Sequence, residues 1–226
     1  MKDVDFLKKG IFAYQGIYDN KNVYESTLEA FKVAIKRRNN IYFEVIETKD
    51  HKFVVCKNDV FERIHNSKDK VEDMTYDELC YVSFYHIPLL EEVLELINGK
   101  VGIMIDLKVH TKHKNLFELL DNYNGKFAII SVNPKIINWF NKNRPEYVVG
   151  EVITKRKGFN LSFYFNKTDF KSYNIDYFDK IKVNNLRDLG DVVIGYLINS
   201  TEKYETYKNV FDNLIADNFL NLKINK

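Results

Sequence analysis

Two carboxylates sit in otherwise apolar runs of this 226-residue chain. Glu44 lies inside Ile41-Tyr-Phe-Glu-Val-Ile46, and Asp106 inside Val101-Gly-Ile-Met-Ile-Asp-Leu-Lys108. A carboxylate facing a buried interior is costly unless it is paired or bound to a metal. Residues two apart on a strand face the same way, so Tyr42 shares a face with Glu44 and Lys108 with Asp106. Glu44 and Asp106 are thus candidate oxygen ligands for a hard cation, Mg²⁺ or Ca²⁺. The competing reading pairs each acid with a lysine. Lys108 and Lys57 supply the charge, and two carboxylates against two amines make a site that is neutral with no cofactor at all.

Positioning these residues requires strands that end together. Short apolar runs (11–14, 41–46, 101–108, 127–131, 147–152, 192–198, 213–217) alternate with helical patterns near 25–36, 114–122, 183–189 and 202–210. Lys52–Cys56 completes a hairpin with 41–46 around a Lys49-Asp50-His51 turn. Thr75 and Glu78 fit a capping box, in which each side chain satisfies a free helix-end amide. Pro88 and Pro134 each open a helix, where a missing amide proton costs little. A strand is expected near Tyr177–Ile181, and the aromatic-rich stretch 159–178 reads as packing and lid. Strand–helix alternation at this length predicts one domain over 1–226, an α/β fold of the (β/α)₈ (TIM) barrel kind. In such a barrel the site lies at the C-terminal strand ends. That rule collects Tyr14, Gln15, Glu44, Asp106, Lys108, Ser131, Asn133, Glu151, Asn199 and Asp217.

Composition narrows the function classes. Thirty-four basic and 32 acidic residues give a net charge of +2, which offers no electrostatic case for nucleic acid. No run of about 18 apolar residues or signal-peptide pattern is present, so no membrane span is expected and a cytoplasmic location is. Cys56 and Cys80 match no metal or redox spacing, and Cys56 reads as a core residue. His65 and His110 fall in loops near the expected barrel mouth. Loop histidines more often face solvent. His51, His86 and His113 read as structural or exposed.

The motifs, in order, resemble those of the glycerophosphodiester phosphodiesterase family along nearly the whole chain. Tyr14-Gln15-Gly16 stands where the family has His-Arg-Gly, and Glu25-Ser-Thr-Leu-Glu-Ala-Phe31 resembles its Glu-Asn-Thr-Leu-x-x-Phe. Tyr42-Phe-Glu-Val45, Thr48-Lys-Asp-His51 and Val54-Val-Cys-Lys-Asn58, with Arg63 beyond, resemble Glu-Leu-Asp-Val, Thr-Lys-Asp-Gly and Val-Val-x-His-Asp with its Arg. Ile87-Pro-Leu-Leu-Glu-Glu-Val-Leu94, Ile105-Asp-Leu-Lys108, Ile130-Ser-Val132, Tyr196-Leu-Ile-Asn199 and Leu214-Ile-Ala-Asp217 continue the series.

The resemblance implies a barrel of the phospholipase C-like type. It also implies metal-dependent hydrolysis of glycerophosphodiesters to an alcohol and glycerol 3-phosphate. It places Tyr14 and Lys57 at the family's two catalytic histidines, and Tyr42, Glu44 and Asp106 at its metal ligands. Gln15 takes the place of the phosphate-contacting arginine; Glu25 and Lys108 are retained, and Tyr196 stands in the substrate-binding Trp position. Phenol and ammonium ordinarily titrate near ~10 and ~10.4, poorly matched to proton transfer at neutrality. The expectation is a silent or strongly impaired homologue that binds a phosphate-ester small molecule or a protein partner. The alternatives are an enzyme with altered acid–base residues and a scaffold acting through its outer surface.

Overall fold

The computed structural model describes residues 2–57, 59–65, 68–108, 114–153, 167–217 and 222. His110, His113, Asn58 and residues 159–166 of the aromatic stretch 159–178 lie outside them.

Eight parallel strands close a ring: β1 (Phe12–Tyr14), β2 (Asn40–Glu47), β4 (Ile103–Leu107), β5 (Phe127–Ser131), β6 (Val148–Ile153), β7 (Phe170–Asn174), β8 (Val192–Ile198) and β9 (Asn213–Ala216). Closure comes from β1, which pairs with β2 on one side and β9 on the other. The remaining strand, β3 (Phe53–Val55), folds back antiparallel on the end of β2, Val45 opposite Val55. The expected barrel is therefore the fold. Strands such as IMIDL and FAIIS are apolar up to their C-terminal ends because both faces are covered, one by the barrel interior and one by helices.

The interior is filled by Phe12, Tyr42, Met104, Ile130, Phe170, Ile194 and Ile215, with the second core packed between strands and helices. Gly150 makes room inside the ring: a Cβ there would fall 2.2 Å from the Phe170 ring. The helices are α1 (Leu28–Lys36), α2 (Val60–Arg63), α3 (Tyr76–Val82), α4 (Leu90–Ile97), α5 (Lys114–Asp121), α6 (Pro134–Asn143), α7 (Lys180–Asp188) and α8 (Thr201–Tyr207). The Thr75–Glu78 capping box forms as expected.

Two expected boundaries move. Pro88 lies before α4 rather than within it; its carbonyl accepts the Val55 amide, and Glu92 accepts the Leu89 amide at 2.7 Å to start the helix. No strand forms at 177–181. The strand is β7, and Ile175–Tyr177 turns out of it because the Asn174 side chain accepts the Asp176 amide. Asp179 then caps α7 by accepting the amides of Ile181 and Lys182. No helix among the described residues is long and apolar enough to cross a membrane.

Candidate functional site

The C-terminal ends of β1, β2 and β4 turn polar groups inward: Tyr14, Tyr42, Glu44 and Asp106. Glu44 and Asp106 are opposite each other in register on β2 and β4, and Tyr14 is opposite Tyr42 on β1 and β2. All four point into the barrel mouth because parallel strands in register present the same face. Gln15 follows β1 with φ +57°, a conformation held by its buried position and by Ser26 Oγ, which donates to its side-chain oxygen at 2.7 Å. Gly16 comes next at φ +89°, where a Cβ would lie 2.8 Å from that of Ala30. The tight turn brings α1 against β1.

Each acid accepts from two donors. Tyr42 Oη and Lys108 Nζ each donate to Asp106 Oδ2 at 2.7 Å. Tyr14 Oη and Gln15 Nε2 donate to Glu44 Oε1 at 3.2 and 3.4 Å, and Lys108 Nζ lies 3.9 Å from Glu44 Oε2. One ammonium thus serves both carboxylates. Lys57, expected to share that task, instead lies 3.5 Å from Asp59 and 5.8 Å above the Tyr14 ring. Tyr196 stands at the inner face of β8, packed against the barrel-interior cluster.

These surroundings fix protonation. Burial, then the Glu44 charge, raises the Tyr14 phenol far above its ordinary value. Burial and Asp106 do the same to Tyr42. Tyr196 is pushed up to about 12, chiefly by burial. Burial works against the Lys108 charge, but Asp106 and Glu44 outweigh it and raise its pKa. Both phenols and the ammonium therefore hold their protons at neutral pH.

Beside this cluster opens a polar cleft of about 420 Å³, lined by Tyr18, Asn20, Glu25, Lys57, Arg63, Asn199 and Asp217 among others. Glu25 is buried and ion-paired to Arg63, and Asn20 both donates to its carboxylate and accepts its amide. Tyr18 Oη donates to Asp217 at 2.5 Å. Sequence reasoning missed Tyr18, Asn20 and Asp59; their only signal was a place between a strand end and a motif residue. Glu151 faces away from the barrel axis and pairs with Lys171 on β7 at 3.1 Å. His65 packs against Phe61, Phe84 and Tyr85, and burial lowers its pKa. Ser131 and Asn133 serve α6: the Asn133 amide donates to Ser131 Oγ, and the Asn133 side chain caps the helix.

The arrangement does not fit a divalent cation. Asp106 Oδ2 and Glu44 Oε1 each accept two hydrogen bonds, Lys108 Nζ lies within 4 Å of both carboxylates, and Tyr42, where the resemblance sets a third ligand, is a protonated phenol. Among the described residues, no group of three His, Cys, Asp or Glu side chains is arranged to hold a metal ion.

A closed ring of eight parallel strands with its polar groups at the C-terminal strand ends is a TIM barrel. Solved structures share the fold. A Thermotoga maritima glycerophosphodiester phosphodiesterase gives a TM-score of 0.76 at 21% identity over 92% of this chain and 94% of that one. An Oleispira antarctica phosphodiesterase, solved with sn-glycerol-3-phosphate, gives 0.78 at 16% over 93% of each. In sequence, YhdW of Bacillus subtilis is 33% identical over 120 residues, 48% of this chain and 49% of that protein. A glycerophosphodiester phosphodiesterase of Bacillus altitudinis is 36% identical over 110 residues, 44% of each. These matches span about half the length of the curated relatives. The sequence model of the glycerophosphoryl diester phosphodiesterase family matches residues 18–157, more than half of the chain. The chain belongs to that family, whose members are typically metal-dependent.

Proposed function

We propose that this chain is a member of the glycerophosphoryl diester phosphodiesterase family in which hydrolysis is silent or strongly impaired. The observation that carries this reading is Tyr42, a protonated phenol at the position of the family's third metal ligand, whose Oη donates to Asp106 Oδ2 at 2.7 Å. A phenol there supplies no carboxylate, which leaves Glu44 and Asp106 as two acids where the family sets three ligands around a cation.

Proton transfer points the same way. A general base works best with a pKa near the operating pH. Tyr14, Tyr42 and Lys108 are all pushed upward. Glu44 and Asp106, the carboxylates beside them, already accept hydrogen bonds from these donors. Nothing in this cluster is poised to take a proton from water. Lys57, at the position of a family histidine, is engaged by Asp59. The cleft beside it remains shaped for a small polar molecule, and a phosphate ester is the ligand class that descent favours.

The test measures glycerol 3-phosphate release from glycerophosphodiesters with Mg²⁺ or Ca²⁺ present. The comparison is between the native chain and a Tyr14→His/Tyr42→Glu/Lys57→His variant. A silent native chain and measurable turnover in the variant are expected. Native turnover that disappears in Asp106→Asn would overturn the proposal and establish an enzyme with altered acid–base groups.

A further inference from the structure

Away from the mouth, residues 68–82 concentrate acid. Five acids against two lysines give this segment a net charge of −3 on a chain that is +2 overall. The same segment exposes large apolar side chains: Tyr81 is 91% and Val82 42% exposed, and Phe84 just beyond is 59% exposed. A shallow groove of about 500 Å³ joins the two features, lined by the apolar Met74, Tyr81 and Val82 and by the acids Asp69, Asp73, Asp77 and Glu78. Single exposed apolar residues are ordinary, but a contiguous apolar patch rimmed by polar groups marks an interaction surface.

The groove is rigidly mounted. Lys49 and Tyr76 amides tie it to the β2–β3 hairpin, donating to the Met74 carbonyl at 2.8 Å and to Asp50 at 2.9 Å. Tyr76 Oη reaches the Ile87 carbonyl, and the capping box closes the start of α3. A surface held this way loses little freedom when it is covered. It also adjoins the mouth. Phe84 packs on Tyr24, Tyr24 stacks on Tyr85 at 4.7 Å, and Tyr24 immediately precedes Glu25.

We propose that this groove docks a basic, apolar-bearing protein segment, an amphipathic helix whose leucine-like side chains cover Tyr81 and Val82 while its lysines or arginines meet Asp73 and Asp77. Charge complementarity selects this occupant. An anionic lipid surface or a nucleic acid would be repelled by the acidic lining. An amphipathic helix laid in a groove matches both the apolar and the acidic lining. The inference is independent of whether the mouth is catalytic.

The probe is a fluorescein-labelled synthetic helix of leucine and lysine, titrated with the full chain and followed by anisotropy, beside a leucine–glutamate counterpart. The basic helix is expected to bind and the acidic one not. Binding should weaken at least tenfold in Tyr81→Ser/Val82→Ser and in Asp73→Lys/Asp77→Lys, and should weaken with added salt as exposed charge pairs do. Unchanged melting of both variants separates lost docking from lost folding. Failure of the basic helix to bind, or equal binding by folded variants, overturns the proposal. So does concentration-dependent self-association that the same substitutions abolish, since the occupant would then be a second copy.

Discussion

Lys108 is the residue on which the mouth turns. Its side chain is 31% exposed, whereas Asp106 and Glu44 are 5% and 8% exposed at their side chains. Removing one member of a buried pair leaves the other charge without compensation, at ~3–5 kcal/mol for a fully buried pair. Solvent reaches Lys108, so Lys108→Met is expected to destabilise the fold by a smaller amount, about 1–2 kcal/mol. The difference carries a pH signature. The folded pKa of Lys108 is raised above its unfolded value, so its stabilisation is complete below about pH 10.4. It is lost as pH rises through the folded value. Denaturant unfolding of native and Lys108→Met proteins should therefore show a constant gap up to about pH 10 and a shrinking gap above it. A gap that closes near neutrality would mean that the ammonium is not what holds the acids.

At the scale of elements, β7 shows what a linear reading can and cannot reach. The strand ends bearing Tyr14, Glu44 and Asp106 were legible because each polar residue interrupts an apolar run, and a TIM barrel fixes where such ends gather. FKSYN gives no such signal. Its outward Lys171 is buried, and its ion pair with Glu151 on the neighbouring strand helps make that tolerable. That pairing spans 20 residues and exists only once β6 and β7 are adjacent. The Lys57–Asp59 contact was hidden for a similar reason, since a hairpin exit does not reveal which way its lysine turns. Lys171 and Glu151 side chains are 3% and 11% exposed, so solvent screens this pair little. Glu151→Leu alone should cost up to ~3–5 kcal/mol, because it takes this carboxylate away from a buried ammonium. Glu151→Leu with Lys171→Met should recover most of that loss, as apolar replacements of buried ion pairs often do. Urea midpoints of the three proteins decide the matter. Additive losses in the double variant would show that the two side chains do not compensate each other.

For the whole molecule, the question is whether the barrel carries its own cation or borrows one. A ligand that binds only the folded state stabilises it by RT ln(1 + [L]/Kd), about 2.7 kcal/mol at a hundredfold excess over Kd. A barrel whose first strands converge on a divalent ion should therefore melt higher with Mg²⁺ or Ca²⁺ and lower after chelation. Here β2 and β4 converge on Lys108, covalently part of β4's own exit, and that cation cannot be diluted away. The expected outcome is a melting temperature indifferent to Mg²⁺, Ca²⁺ and chelator, followed through Trp139, which stacks on Phe117 at 4.7 Å between α5 and α6. Tyr42→Glu with Lys108→Met adds a carboxylate and removes the ammonium, placing three acids where β2 and β4 end. Like charges so close raise one another's cost until a cation joins them. That variant should melt lower than the native chain without metal and regain stability with Ca²⁺. A metal-dependent rise in the native chain, absent from Asp106→Asn, would show instead that Lys108 yields its place to an ion. The barrel would then be poised for the family's metal chemistry despite the changes at positions 14, 42 and 57.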